Sequence, residues 1–248
     1  MDCAVEPSVV PFKGGWIFKV IEMPAASSQS AVVMLHGFTG THIETGRLYV
    51  DIARSLCALG FPTVRFDYRN HGDSSGPFED FDIDNAVEDA EFIVRGLLES
   101  GFKRLALVGF SMGGAVALSA YLKFPEAVGT LVLLAPAVNP SGTPLAEAVR
   151  ASSGDYFYFG PYRMKRANLL KQMSHNLMHV ADLIKAPTLL IHAKDDQAVP
   201  YAHSEEFYRR LKAPKRLVSF DRGGHTFEDF AVRSAIIKEI GDWLRAYL

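Results

Sequence analysis

Leu105-Ala106-Leu107-Val108-Gly109-Phe110-Ser111-Met112-Gly113-Gly114-Ala115-Val116-Ala117-Leu118 sets two hydrophobic patterns end to end. The apolar run 105–108 suits a strand buried on both faces, and 112–124 carries the small and apolar residues of a helix that packs back on it. Between them stands Gly-x-Ser-x-Gly, 109–113. A strand that stops abruptly and opens straight into a helix lifts the intervening serine hydroxyl clear of the sheet, and flanking glycines avoid collisions with the neighbouring strand and helix. The helix start also turns free N–H groups and its positive dipole end towards any negative charge that develops at Ser111. The same pattern recurs around Ser74, but Pro77 and an acidic, irregular stretch follow it, so Ser111 is the candidate nucleophile.

On either side of this stretch, short apolar runs recur at 15–21, 31–35, 63–66, 130–134, 188–192 and 216–220, and helical periodicity fills 46–59, 85–99, 204–211 and 227–247. Strands alternating with crossover helices specify the α/β class, a mostly parallel central sheet flanked by helices on both faces. Asp84 or Asn85 is placed to cap its helix, and Gly60 and Gly101 stand where helices stop. Residues 136–185 break the alternation with several prolines and glycines, the aromatic run Tyr156 to Phe159 and a helical segment near 166–178. We read them as a small cap inserted in a single domain whose core is 1–135 and 186–248. The aromatic run either packs that insertion down or lines a pocket.

At 248 residues the chain can bury a sizeable core, and 48% hydrophobic with 22% charged residues excludes disordered and fibrous classes. Lys+Arg 26 against Asp+Glu 28 leaves no cationic excess for a phosphate backbone, so nucleic acid is not an expected partner. Cys3, near the start, and Cys57, within a helix, make neither a disulfide framework nor a thiolate metal site, which points to a reducing compartment. Residues 1–10 lack a basic and a long apolar region, and no run reaches the ~18 apolar residues of a spanning helix. A cytoplasmic protein without membrane contact is expected.

Serine at its free pKa needs an imidazole to accept its proton and a carboxylate to fix the imidazole tautomer. Of the 8 histidines, His225 lies just after the strand at 216–220, in a glycine-bearing loop that can bend back towards Ser111. His36 and His71 fall on neighbouring loops, His192 ends a strand, and His42, His175, His179 and His203 look like solvated or cap positions. Asp195 and Asp196 follow the strand at 188–192, and one of them should face His225. We choose Asp196, which leaves Asp195 as a turn or capping residue. The order Ser111, Asp196, His225 is that expected for a strand-turn-helix nucleophile. The Met112 N–H forms half of an oxyanion hole, and the turn His36-Gly37-Phe38-Thr39-Gly40 should supply the other half from Phe38. A metal site from His192, Asp195, Asp196 and His203 matches no spacing we can justify and leaves Ser111 unexplained.

The chain resembles the α/β-hydrolase superfamily, and within it the small bacterial esterases of the cinnamoyl or feruloyl esterase type. The resemblance rests on 36–40, on Arg65-Phe66-Asp67-Tyr68 leading into His71-Gly72-Asp73-Ser74, on 109–114, on Leu133 to Ala137, on Asp195-Asp196 ahead of Val199-Pro200, and on Gly224-His225. It implies the α/β-hydrolase fold, the triad Ser111, Asp196 and His225, and oxyanion N–H groups from Phe38 and Met112. This sequence departs from the family's pattern at Phe110, Asn70 and Ala193, and none of these removes a catalytic group. The expected activity is a serine carboxylesterase acting through an acyl-enzyme on aryl or short-to-medium acyl esters. It needs no cofactor and no metal; its partner is a small-molecule ester, and it acts as a monomer or homodimer. The cations Arg163, Lys165, Arg166 and Lys171 keep an acyl thioesterase open as an alternative, and a ligand-binding protein on a hydrolase scaffold is a further one.

Overall fold

A computed structural model describes residues 3–26 and 28–248. Its main sheet has eight strands, β1 (Cys3–Phe12), β2 (Gly15–Pro24), β3 (Ser30–Leu35), β4 (Thr63–Phe66), β5 (Arg104–Phe110), β6 (Val128–Leu134), β9 (Thr188–Ala193) and β10 (Lys215–Phe220), in the order β1-β2-β4-β3-β5-β6-β9-β10. Strands from β4 to β10 run parallel, while β1 and β2 form an antiparallel hairpin at one edge. The hairpin between β7 (Tyr156–Phe159) and β8 (Tyr162–Lys165) stands apart.

The central strands read as unbroken apolar runs because both faces are covered. Val33, Leu35 and Leu107 join one core cluster with α2 (Ile83–Glu99), α3 (Met112–Lys123) and α6 (Tyr201–Arg210). Val32, Met34, Ala106 and Val108 join the other with α1 (Leu48–Ala58) and α7 (Phe230–Tyr247). That alternation is the period-two pleat of a strand. Register then decides where chemistry can sit: Leu35 pairs with Gly109, Phe110 with Leu134, Leu134 with Ile191, and Ala193 with Phe220. The loops after β3, β5, β9 and β10 therefore emerge along one rim, the place where open parallel sheets bind ligands.

Several expectations shift. The strand β1 is an addition to those expected: it is an edge strand carrying Pro7 and Pro11, largely exposed, and so lacks an apolar run. α2 is capped two residues earlier, by Asp82, whose side chain accepts the Asp84 N–H at 2.9 Å. α1 starts at Leu48 because Gly46 and Arg47 hold φ of 60° and 65°. Between β6 and β9 the chain forms α4 (Pro144–Ala151), β7, β8 and α5 (Arg166–Ser174); Pro144 opens α4 under a Thr143 cap, so the prolines there punctuate elements.

The largest correction concerns the cysteines. Cys3 and Cys57 are joined in a disulfide with Cα atoms 6.3 Å apart, across a separation of 54 residues. The β1–β2 hairpin carries the start of the chain over α1, a proximity no local pattern encodes. Such cross-links persist in oxidising compartments or in hyperthermophile interiors, so the inference of a reducing compartment loses its basis. Among the described residues no helix is long and apolar enough to cross a membrane.

Candidate active site

At the end of β5 the chain turns through Ser111 with φ 54° and ψ −119°, a region that costs about 1–3 kcal/mol for a residue with a side chain. Three backbone bonds hold it there: the Ser111 N–H donates to Leu134 O at 2.9 Å, and Ser111 O accepts from Gly114 N at 3.0 Å and Ala137 N at 2.9 Å. Close approach explains the glycines. A Cβ on Gly113 would lie 1.9 Å from Leu35 O, and one on Gly109 would lie 2.4 Å from Gly113 O.

The rim brings Ser111, His225 and Asp196 into one hydrogen-bonded line. His225 Nε2 stands 2.9 Å from Ser111 Oγ, and His225 Nδ1 stands 2.7 Å from Asp196 Oδ2. A carboxylate can only accept, so Nδ1 carries the proton and Nε2 is left to accept from the serine hydroxyl. Asp196 Oδ1 accepts the N–H groups of Ala198 at 2.8 Å and Val199 at 2.9 Å. His192 Nε2 donates to Asp196 Oδ2 at 3.0 Å, while its Nδ1 accepts from the Ser204 hydroxyl at 2.8 Å. Burial alone would push the Asp196 carboxyl up, but bonds from His192, His225 and the Val199 N–H outweigh it and hold the group well below the usual carboxylate range. Asp195 is engaged differently, accepting Gly224 N at 2.9 Å and Gly223 N at 3.4 Å, and so anchors the loop that carries His225.

Across from His225 the turn after β3 is fixed by His36. Its Nδ1 donates to Gly37 O at 2.8 Å and its Nε2 accepts the Tyr68 N–H at 3.3 Å. Burial drives its pKa down to about 4, so the ring is neutral and keeps this tautomer at neutral pH. Holding the Gly37 carbonyl aims the Phe38 N–H the opposite way, since a trans peptide sets the two antiparallel. Among the described residues neither the Phe38 nor the Met112 N–H donates to a protein acceptor. Both residues line a pocket of about 530 Å³ together with Ser111, His225 and the apolar side chains of Leu145, Phe157, Phe159 and Met173. A serine hydroxyl bonded to an imidazole, with two free amides at the wall of an apolar pocket, is an arrangement with the chemistry to attack a carbonyl and stabilise the resulting oxyanion.

Other sequence expectations fall elsewhere. Ser74 is buried; its hydroxyl donates to Asp67 O at 2.6 Å and accepts the Phe18 N–H at 2.9 Å. His42, read as solvated or capping, is buried, with Nδ1 3.0 Å from Asp67 Oδ2, because the loop after β3 folds over the end of β4. Of the four residues in the metal reading, His192, Asp195 and Asp196 are each engaged by protein partners and only His203 keeps an unbonded ring nitrogen, and among the described residues these four do not gather as a ligand group. His42, Asp67 and Asp73 do have ligand spacing, yet Asp67 already accepts the His42 N–H at 2.6 Å and the Asp73 N–H at 2.9 Å. The sequence reading gave His192 no part beside Asp196 and left out Glu44 altogether. A buried histidine in the apolar strand β9 was the available sign for the support behind Asp196; nothing local marked Glu44, whose buried carboxylate accepts the Gly37 N–H at 2.5 Å.

Comparison with known proteins agrees with this architecture. A family model described as "alpha/beta hydrolase fold" matches residues 30–161, and one described as "Serine aminopeptidase, S33" matches 145–228. The uncharacterized protein YfhR of Escherichia coli (strain K12) is 26% identical over 211 residues, covering 85% of this chain and 68% of YfhR. The acylamino-acid-releasing enzyme of Mus musculus is 26% identical over 243 residues, which span 91% of this chain but 32% of that protein. Among solved structures, Est1E from Butyrivibrio proteoclasticus with bound ferulic acid superimposes with a TM-score of 0.85 at 21% identity, covering 96% of this chain and 98% of that one. With more than half of its length, residues 30–161, matched by the family model, this chain belongs to the family of the alpha/beta hydrolase fold.

Proposed function

We propose that the protein hydrolyses carboxylic esters through an acyl-enzyme, with Ser111 as nucleophile, His225 as general base and Asp196 as its orienting acid. The observation that carries this reading is the unbroken line from Ser111 Oγ through both His225 nitrogens to Asp196, at 2.9 and 2.7 Å. Ser111 Oγ attacks the ester carbonyl as His225 Nε2 takes its proton, and the carbonyl oxygen, now negative, accepts from the Phe38 and Met112 N–H groups. His225 returns the proton to the leaving alcohol. Water, activated by the same imidazole, then releases the acid and restores the serine.

Residues 136–185 serve as a cap over this centre and choose the acyl group. Phe157 and Phe159 from the hairpin and Met173 from α5 give the pocket an apolar wall suited to an aryl, feruloyl-like or cinnamoyl-like, or a short-to-medium acyl group. The likeness to the structure of Est1E with bound ferulic acid supports the same choice. A thioesterase is disfavoured by the partners of three of the four cap cations: Arg163 bonds Glu79, Lys165 bonds Asp80, and Lys171 bonds Asp82 and Asp84, while Arg166 donates to Val149 O and Ser152 Oγ, so most of the charge that would meet an acyl-CoA phosphate is already matched.

The test is Ser111→Ala assayed on p-nitrophenyl esters. Turnover should fall on the order of 10³-fold or more, and retention of wild-type turnover would end the reading. A fluorophosphonate probe should label Ser111 in the wild type, whereas tight ligand binding without labelling would mean a non-catalytic receptor. Rates on feruloyl, short aliphatic and acyl-CoA esters, and on an acylated amino-acid anilide, define the substrate class.

A further inference from the structure

Two charged side chains outside the Ser111, His225 and Asp196 line join the loops on either side of the pocket. Glu44 is 7% exposed, and its carboxylate accepts the N–H groups of Gly37 at 2.5 Å and Thr45 at 3.1 Å. The first of these is the peptide next to Phe38. Arg233, on α7, spends its guanidinium on four backbone carbonyls: Nη1 donates to Gly46 O at 2.6 Å, Nη2 to Thr45 O at 2.8 Å and to Thr226 O at 3.1 Å, and Nε to Phe227 O at 2.6 Å. Two of those carbonyls belong to the residues after Glu44, and two to the residues after His225. A continuous path of charge-assisted bonds therefore runs from the turn that presents Phe38, through Glu44 and Arg233, to the loop that presents His225.

The backbone along this path is held where it would not rest by itself. Glu44, Arg47 and Phe227 adopt φ of 59°, 65° and 53°. Residues with side chains stay in that region only where surrounding contacts over-determine them, and such positions concentrate at functional sites. Glu44, Thr45 and Thr226 also line the pocket with Ser111 and His225. Neither Glu44 nor Arg233 bonds the three reacting side chains, so any contribution passes through the loops.

We propose that Glu44 and Arg233 act together as positioning residues, a clasp that holds the Phe38 amide and the His225 ring at a fixed separation across Ser111. The inference rests on the ester-hydrolase reading above. Its physical basis is that an oxyanion donor and a general base work only within a fraction of an ångström of their proper places, and displacement by about 1 Å costs on the order of 10²-fold in rate. A carboxylate suits one end because it can take two backbone N–H groups at once. An arginine suits the other because its planar fork reaches carbonyls of two separate loops.

The experiment compares Glu44→Ala, Glu44→Gln, Arg233→Met and the double variant Glu44→Ala/Arg233→Met on one p-nitrophenyl ester, with urea unfolding run on each. Each single variant should lose about 10- to 100-fold in kcat with KM within about twofold, and Glu44→Gln, which keeps one acceptor oxygen, should recover part of the loss. The double variant should be no more than a few-fold slower than the worse single one, because cutting one clasp twice adds little. An aryl boronic acid, which mimics the tetrahedral adduct, should weaken in step with kcat while the product acid binds unchanged. If Glu44→Ala does not fold, Glu44→Gln and Arg233→Met carry the comparison. Unchanged kcat in folded variants, a loss confined to KM, or fully multiplicative effects in the double variant would each overturn the clasp. Ser111→Ala run alongside separates the two ideas: an active Ser111→Ala protein sinks the hydrolase reading itself, whereas an inactive one beside fully active Glu44 and Arg233 variants sinks only the clasp.

Discussion

Replacing Asp196 by asparagine changes one atom and should stop turnover without disturbing the fold. Oδ1 is pinned by two fixed backbone donors, Ala198 N at 2.8 Å and Val199 N at 2.9 Å, so the asparagine oxygen must take that place. Its NH₂ group then occupies the position of Oδ2, facing His225 Nδ1 at 2.7 Å and His192 Nε2 at 3.0 Å. The opposite rotamer would point the NH₂ at two N–H groups that cannot turn away. His225 can meet an NH₂ donor only by baring Nδ1, which moves its proton to Nε2, and an Nε2–H cannot accept the proton of Ser111. Loss of the productive tautomer costs on the order of 10⁴ in kcat in serine hydrolases, about 5 kcal/mol of barrier at 1.36 kcal/mol per decade. Stability should fall by only about 1–3 kcal/mol, because His192 Nε2 keeps Val199 O as an acceptor at 3.1 Å. Initial rates on a p-nitrophenyl ester paired with urea unfolding measure both quantities. Should Asp196→Asn keep more than about a tenth of wild-type kcat while folded, the orienting role of Asp196 and the tautomer argument with it are wrong.

Other outcomes follow from the same contacts. Burial holds His36 at a pKa of about 4 and His71 at about 3, against 6.5 unfolded, so the stability they contribute is complete above pH 6.5 and drains as pH falls towards those values. Asp89, raised by burial to about 6, acts in the opposite sense between pH 4 and 6, so these three groups together contribute a loss of about 1.4 kcal/mol per pH unit there. Urea midpoints at pH 7, 6, 5 and 4 give that slope, and His71→Phe, which fits the ring cluster with Phe78 and Phe81, should flatten it; an unaltered slope refutes the assignment. Reducing the Cys3–Cys57 disulfide releases a loop of 54 residues and should cost about 4 kcal/mol, so identical unfolding midpoints with and without reductant would mean the cross-link is absent in solution. Gly113→Ala places a Cβ 1.9 Å from Leu35 O and should destabilise by about 3 kcal/mol or more, whereas Gly96→Ala meets nothing within 4 Å inside α2 and should stabilise by about 0.5–1 kcal/mol; denaturant curves that rank them the other way would contradict the packing at the serine turn.

Local patterns in the chain were enough to specify the elements and their class. Apolar runs such as 188–192, helical periodicity such as 85–99 and glycine punctuation at Gly60 and Gly101 report interactions among residues a few positions apart, which is why the α/β order and the strand-turn-helix at Ser111 were legible. The same signal is lost where an element has no buried face, as in the proline-bearing edge strand β1. Whatever joins distant segments emerged only from the folded arrangement. Asp195 and Asp196 are chemically identical neighbours, and only the direction of each side chain gives one to the Gly224 N–H and the other to His225, 29 residues away. The contacts of Arg233 with Thr45 and Gly46, and of Cys3 with Cys57, likewise depend on strand order and register, which set where separate loops emerge and which no local periodicity contains.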